Sequence, residues 1–544
     1  MARYGRISGR DISANAGDDM CFELARRWRD ACQQHHGAAC PQVVPHKMPT
    51  RLLDVGPLDG SHEPRLRDTG NKNGEWVALS HCWGTQSSFK TVSTNFLARQ
   101  TQISFEEMPQ TFRDAVVVTR RLGYRYLWID SLCIIQNDHS DWLKESVCMR
   151  DYYQHAVVTI SADSASSDQA GFLVPREAYF DRLGLTLASG EEIGIRSRIE
   201  CPAFRYRDTC ISRRAWTLQE FMLSPRSLLY TSEQLVWECQ THKYCESDEN
   251  LQGEMENDVY STAKRFFSAP ELGKARFPEH AMFFNPIYKW YNLVSDYITR
   301  DLTNSDDIFP AISGLAREVQ RQTSNTYAAG IWLEDAHRGL LWQMNGAGIP
   351  TKTYLAPSWS WASLQPTIGS LEPPYGKLYL NVCFTYTEYK DRRATLSTHE
   401  IVPTDDDPFG CISFGSLRMR GKVLDAEKWE GKTAPHFNYL GETEMSHFHS
   451  QDSPNAAEAA DQLICYFDIV EEDEKLEEML RKVTMFQIST WLWQSGKALT
   501  TMVLLLLPAA DQPDGTYRRV GIAEVPNYED LADSGWETVE LCII

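Results

Sequence analysis

Nowhere in the 544 residues is there an apolar stretch approaching the roughly 20 residues that a membrane-crossing helix needs. The longest clean run near the C-terminus is Met502 to Leu507. No membrane span is therefore expected. The first residues, MARYGRISGRDISANAGDD, lack the apolar segment of a secretory signal. Cations are scarce as well, with 54 Lys and Arg against 74 Asp and Glu, a formal charge of -20. Binding a nucleic-acid backbone needs clustered cations, so that role is not expected. The G-x-x-x-x-G-K-[ST] phosphate loop, the G-x-G-x-x-G dinucleotide turn and the G-x-S-x-G nucleophile elbow are all missing, which counts against P-loop NTPases, ordinary dehydrogenases and common hydrolases. The 14 cysteines form no dense, regular framework. Without an export signal they read as reduced thiols in the cytosol or nucleus, a cytoplasmic location being expected, with no structural disulfide.

What is present reads as globular. Hydrophobic residues make up 42% and charged residues 24%, which excludes wholesale disorder. The 16 Trp and 23 Tyr indicate large aromatic cores. No repeat of 20–50 residues is visible. Residues 1–74 read as a helical lead-in, with helical spacing from Phe22 to Ala31, followed by a polar loop from Arg65 to Gly74.

Residues 75–240 read as an open α/β layer. Trp76–Ser80, Tyr126–Asp130 and Ala156–Ser161 are short apolar runs, consistent with neighbouring buried strands of a parallel sheet. Between them, Pro109 to Leu122 and Asp141 to Tyr153 have helical spacing, and Gly123 stops the first. Trp128, Ile129 and Trp216 are expected in the core. Residues 241–350 read as a helical segment, with an aromatic helix carrying Tyr288, Trp290, Tyr291, Val294 and Tyr297. Residues 351–544 read as a β-rich region. It contains a hairpin turning at Asp514-Gly515 and a charged helix from Glu471 to Arg481. The acidic stretches Asp405 to Asp407 and Gln451 to Asp461 read as solvated loops.

Parallel sheets bind ligands beyond the carboxyl ends of their strands. Three polar segments fall there: Ser80-His81-Cys82-Trp83-Gly84, Asp130-Ser131-Leu132-Cys133 and Ala162-Asp163-Ser164. A crevice lined by His81, Trp83, Asp130, Ser131 and Glu145 is the expected ligand site. Glu145 shares a helix face with Trp142. Its carboxylate suits ribose hydroxyls, or the oxocarbenium-like charge of glycosidic cleavage. Each residue also has a plainer role: Trp83, Trp128 and Trp142 as packing, Asp130 as a turn cap, Glu145 as an ion-pair partner. Cys32, His35, His36 and Cys40 resemble half of a zinc site, with His81 and Cys82 further on. The spacing matches no standard finger and the second pair is remote, so no metal is expected. His81 with Cys82 or Cys133 offers a thiol nucleophile, but adjacent strand residues point to opposite faces.

The ordered string Ala78-Leu-Ser-His-Cys-Trp-Gly84, Pro109-x-Thr-Phe-Arg-Asp-Ala115, Leu122-Gly-Tyr-Arg-Tyr-Leu-Trp-Ile-Asp-Ser-Leu-Cys-Ile-Ile-Gln136, Asp141-Trp-Leu-Lys-Glu145, Ala156-Val-Val-Thr-Ile-Ser-Ala162, Arg214-Ala-Trp-Thr-Leu-Gln-Glu220 and Trp237-Glu-Cys239 resembles the heterokaryon incompatibility (HET) domain of filamentous fungi. Tyr327-Ala-Ala-Gly330 and Ala356-Pro-Ser-Trp-Ser-Trp-Ala362 resemble that family's downstream region. The resemblance implies a stand-alone HET protein with no NACHT, ankyrin or WD-repeat attachment. It also implies a distantly TIR-like, flavodoxin-like core and a role in non-self recognition and programmed cell death. Some TIR domains cleave NAD with the glutamate of a Trp-x-x-Glu motif, which Trp142-Leu-Lys-Glu145 matches.

Three functions follow as expectations. The first is a death effector acting through self-association or an incompatibility partner protein, with no cofactor. The second is an NAD glycohydrolase with Glu145 as its carboxylate and NAD as substrate. The third, weaker reading is another enzymatic role in a metabolic pathway. A buried, ion-paired Glu145 favours the first.

Overall fold

The computed structural model describes residues 12–84, 89–176, 183–186, 192–195, 209–247, 259–268, 285–344, 348–366, 380–382, 389–428, 436–437, 464–468, 478–479, 481–492, 499–526 and 535–544. The chain divides into two compact units, Met1–Ala281 and Met282–Ile544.

The first unit is built on an eight-stranded sheet. In chain order its strands are β1 (Arg51–Asp54), β2 (Arg65–Asp68), β3 (Val77–Ser80), β4 (Tyr126–Trp128), β5 (Val158–Ser161), β6 (Arg226–Tyr230), β7 (Leu235–Cys239) and β8 (Lys243–Cys245). Across the sheet they run β8-β7-β6-β5-β3-β4-β1-β2. The three apolar runs expected as strands do lie side by side. β3 pairs in parallel with both β4 and β5, and β5 with β6. Antiparallel strands complete both flanks. Within 75–240 the sheet is mostly parallel, as expected, but taken whole it is mixed.

Two expectations need correction. The polar stretch from Arg65 to Gly74 does not stay a loop: Arg65–Asp68 pairs with β1 as an edge strand. Its Arg-Leu-Arg-Asp sequence places Leu66 inside and leaves Arg65 and Arg67 outside, 3.6 and 3.4 Å from Asp54 of β1. Trp216 is only partly buried. It meets Trp142 edge-on, with centroids 6.5 Å apart, while Trp128 and Ile129 are fully enclosed.

Side chains alternate across a strand, and both faces here are covered. Leu53, Val77, Leu79, Leu127, Ile129, Val158, Ile160, Leu228 and Tyr230 share one apolar core with α1 (Asp19–His35) and α2 (Gln110–Arg121). α1 contributes Phe22, Ala25 and Trp28, and α2 contributes Phe112, Ala115 and Val116. On the other face Trp128 packs against Tyr152 and Tyr153, each with its ring centroid 5.4 Å away. Both tyrosines belong to α4 (His139–Gln154), which follows the four-residue α3 (Asp130–Cys133). α5 (Ala215–Leu223) leads into Ser224, whose hydroxyl lies 2.6 Å from that of Thr159 on β5.

The second unit begins with the expected aromatic helix, Pro286–Tyr297, and a helix at Ser313–Thr323. Its described strands include a largely antiparallel nine-stranded sheet. The hairpin around Asp514-Gly515 is present, with Leu499–Pro508 paired to Thr516–Pro526. Asp405 to Asp407 is a loop. Most of the charged helix from Glu471 to Arg481, and all of Gln451 to Asp461, lie outside the described residues. The two downstream motifs turn out to be one packing unit. Trp361 and Trp290 both donate their indole N–H to the carbonyl of Gly330, at 3.0 and 2.9 Å, and Ser360 donates to that of Ala329. Gly330 has φ +92, and a Cβ there would lie 2.3 Å from the Trp361 ring nitrogen. Only glycine fits.

Candidate functional site

β3, β4 and β5 run in parallel, so their carboxyl ends fall on one rim of the sheet. The polar residues following them meet there. Asp130, first residue of α3, accepts the indole N–H of Trp83 at 2.8 Å on one oxygen and the backbone N–H of Ser131 at 2.7 Å on the other. It is thus a turn cap and a side-chain anchor at once. His81 Nδ1 lies 3.8 Å from Asp130, and the ring is 2% exposed. Burial, helped by nearby Arg214, drives the His81 pKa down to about 4 despite Asp130, so the imidazole is neutral at pH 7. Arg214 also donates to the His81 carbonyl, and buried Asp168 lies close enough to bias the ring.

Two further carboxyls complete this rim. Asp163, just past β5, accepts from Ser161 at 2.6 Å, and burial raises its pKa to about 7. Glu220 of α5 is 3% exposed. Burial first and the nearby Asp130 second raise its pKa to about 7, against Arg214, Ser80 and Tyr153, which favour the charged form. Both carboxyls act on the Cys82 thiol, so two carboxyls raised toward pH 7 by burial lie close to the strand ends. Arg214, Glu220 and Asp163 were not among the expected site residues. The signal existed, since Arg214-Ala-Trp-Thr-Leu-Gln-Glu220 and Ala162-Asp163-Ser164 are both visible strings. Nothing in the sequence placed α5 over the strand ends.

Glu145 belongs to a second, adjoining cluster. It is 0% exposed. One carboxylate oxygen accepts the Tyr152 hydroxyl at 2.7 Å, and the other lies 3.6 Å from the guanidinium of Arg51 on β1. Arg51 donates to both oxygens of Asp141, at 2.6 and 2.5 Å, and to the Cys133 carbonyl at 2.6 Å. α3 joins the clusters, with Asp130 turned to His81 and Trp83 and its last carbonyl held by Arg51. Of the expected set, His81, Trp83 and Asp130 come together. Ser131 contributes its backbone N–H while its side chain is buried, and Glu145 is committed to Arg51 and Tyr152. The thiols of Cys82 and Cys133 are both raised to about 12 by burial, so neither is a ready nucleophile. None of the twelve described cysteines is in a disulfide.

Glu220 has a measurable consequence. Its folded pKa, about 7, exceeds the ordinary value of 4.5. Between those values the folded state holds more protons than the unfolded one, so stability falls as pH rises from about 4.5 to 7. Glu220→Gln removes that loss. The variant is expected to gain on the wild type by roughly 1–3 kcal/mol between pH 5 and pH 8. Urea midpoints across that range check it. A constant difference would show that Glu220 is ionised throughout.

No helix among the described residues is long and apolar enough to cross a membrane. Neither a curated protein nor a solved structure gives a significant match to the chain. Residues 76–220 match the family model described as heterokaryon incompatibility protein (HET). That interval runs from Trp76, at the entrance to β3, to Glu220 on the rim, and so contains both clusters except Arg51. Residues 76–220 thus carry a heterokaryon incompatibility (HET) domain.

Proposed function

We propose that the protein is a cytoplasmic effector of fungal non-self recognition that triggers programmed cell death by associating with itself or with an incompatibility partner protein. One observation carries this reading. The glutamate of Trp142-Leu-Lys-Glu145 is fully buried, bound by Tyr152 and faced by Arg51. A carboxylate so committed holds α4 to β1 and is not presented to a ribose. Assembly requires no catalytic carboxylate, and the parallel centre of the sheet is compatible with the TIR-like architecture that the family resemblance implies.

The test is expression of the wild type and Glu145→Gln at equal levels in hyphae. The amide can still accept from Tyr152, and Arg51 keeps Asp141, so the expected stability cost is only about 1–2 kcal/mol. Cell death should persist in the variant. Loss of killing at unchanged melting temperature would overturn the proposal.

The second reading is NAD cleavage. It draws support from the rim, where partly buried Trp83 lies beside Asp130 and neutral His81. There Trp83 would stack on a base or on the nicotinamide ring. For Glu145 to act on that substrate, its carboxylate must first leave Arg51 and Tyr152.

A further inference from the structure

Four side chains far apart in sequence converge where α1 meets β7. Cys32 lies in the last turn of α1, and His36 follows one turn later, so both share one side of the helix. Gly37 then takes φ +53, a left-handed conformation that favours glycine, and opens the single 3-10 turn Gly37–Ala39. That reversal brings Cys40 back toward His36. The fourth residue is Cys239, which ends β7. The three sulfurs and one ring nitrogen all lie within 4.8 Å of one another. His36 Nδ1 is 3.4 Å from Cys40 Sγ and 3.6 Å from Cys239 Sγ.

Those distances fit one ion. With zinc–sulfur bonds of about 2.3 Å and zinc–nitrogen bonds of about 2.0–2.1 Å, a tetrahedron has sulfur–nitrogen edges of about 3.6 Å and sulfur–sulfur edges of about 3.8 Å. We infer that Cys32, His36, Cys40 and Cys239 form a closed structural zinc site. All four positions are filled by protein, so the ion holds α1 to the sheet and has no open position for substrate. The three cysteines are 1–2% exposed. Three thiolates, a neutral imidazole and Zn(II) leave one net negative charge. The buried Arg226 guanidinium, with Nε 3.3 Å from Cys32 Sγ, offsets it. The Thr241 hydroxyl lies 3.5 Å from both Cys40 and Cys239 sulfurs, placed to steady them from outside the coordination shell. His242 stacks on His36 at 4.4 Å and fixes the plane of its ring.

The expectation of no metal came from pairing the first half-site with His81 and Cys82. Those two lie on the rim with Asp130 and Arg214, whereas Cys239 supplies the missing ligand. Exposed His35 is not among the four.

The full chain, purified under reducing conditions without added metal, should carry about one zinc per molecule by elemental analysis. A mercurial that caps thiols should release the same amount. Cys40→Ser and Cys239→Ser should each lower bound zinc by about tenfold or more. Cys210→Ser, at an exposed cysteine, should not. If the ligand variants fail to fold, cobalt exchange into the wild type decides the matter. Intense visible bands of tetrahedral cobalt–thiolate are expected. Folded wild-type protein that holds no zinc, takes up no cobalt, and has these three thiols freely reactive or joined in a disulfide would overturn the site.

Discussion

Trp128→Ala is expected to cost about 3–5 kcal/mol of unfolding free energy, the usual range for truncating a large core side chain. Trp128 is 0% exposed on the central part of the sheet, wedged against Tyr152 and Tyr153 of α4. Nothing nearby is free to collapse into the space, because β4 is paired on both sides and α4 is pinned through Arg51. The loss should reach function as well, since α4 carries Glu145 and α3 carries Asp130. Denaturant unfolding followed by tryptophan fluorescence measures it. A loss below about 1 kcal/mol would mean that the helix side of the sheet is loosely packed.

Arg51→Met should cost as much, about 3–5 kcal/mol, for a different reason. Arg51 is the common partner of Asp141, Glu145 and the Cys133 carbonyl, with its side chain only 6% exposed. Methionine fills the volume but leaves two enclosed carboxylates without their cation. Removing one member of a buried ion pair is costly because the remaining charge stays buried. Adding Asp141→Asn and Glu145→Gln to Arg51→Met should therefore recover part of the loss. If the triple variant is no more stable than Arg51→Met, the carboxylates are not what Arg51 neutralises.

The central strands were legible because their signal is local. Val77–Ser80, Tyr126–Trp128 and Val158–Ser161 are unbroken apolar runs between helical segments, and a strand enclosed on both faces needs that composition. Arg65–Asp68 was illegible for the converse reason. Three of its four residues are charged, and its single inward side chain, Leu66, leaves no periodic pattern. The meeting of His81, Trp83 and Asp130 was readable, but the separate place of Glu145 was not. Asp130, His81 and Trp83 meet because three parallel strands end on one rim, which strand order implies. Glu145 leaves that group because Arg51, in the lead-in, reaches from β1 to claim it. Such a partner is set by tertiary register and not by spacing. Cys239 escaped notice in the same way, since its three companions are read from one short stretch and the fourth comes from β7, far along the chain.

The central claim is that Glu145 is a buried structural anchor in a protein that acts by association. Incubating the purified, assembled protein with NAD and following nicotinamide release tests it most directly. The account predicts no release above the protein-free control, from either the wild type or Glu145→Gln. Sustained release by the wild type, abolished in Glu145→Gln at unchanged melting temperature, would contradict it and make Glu145 the catalytic carboxylate.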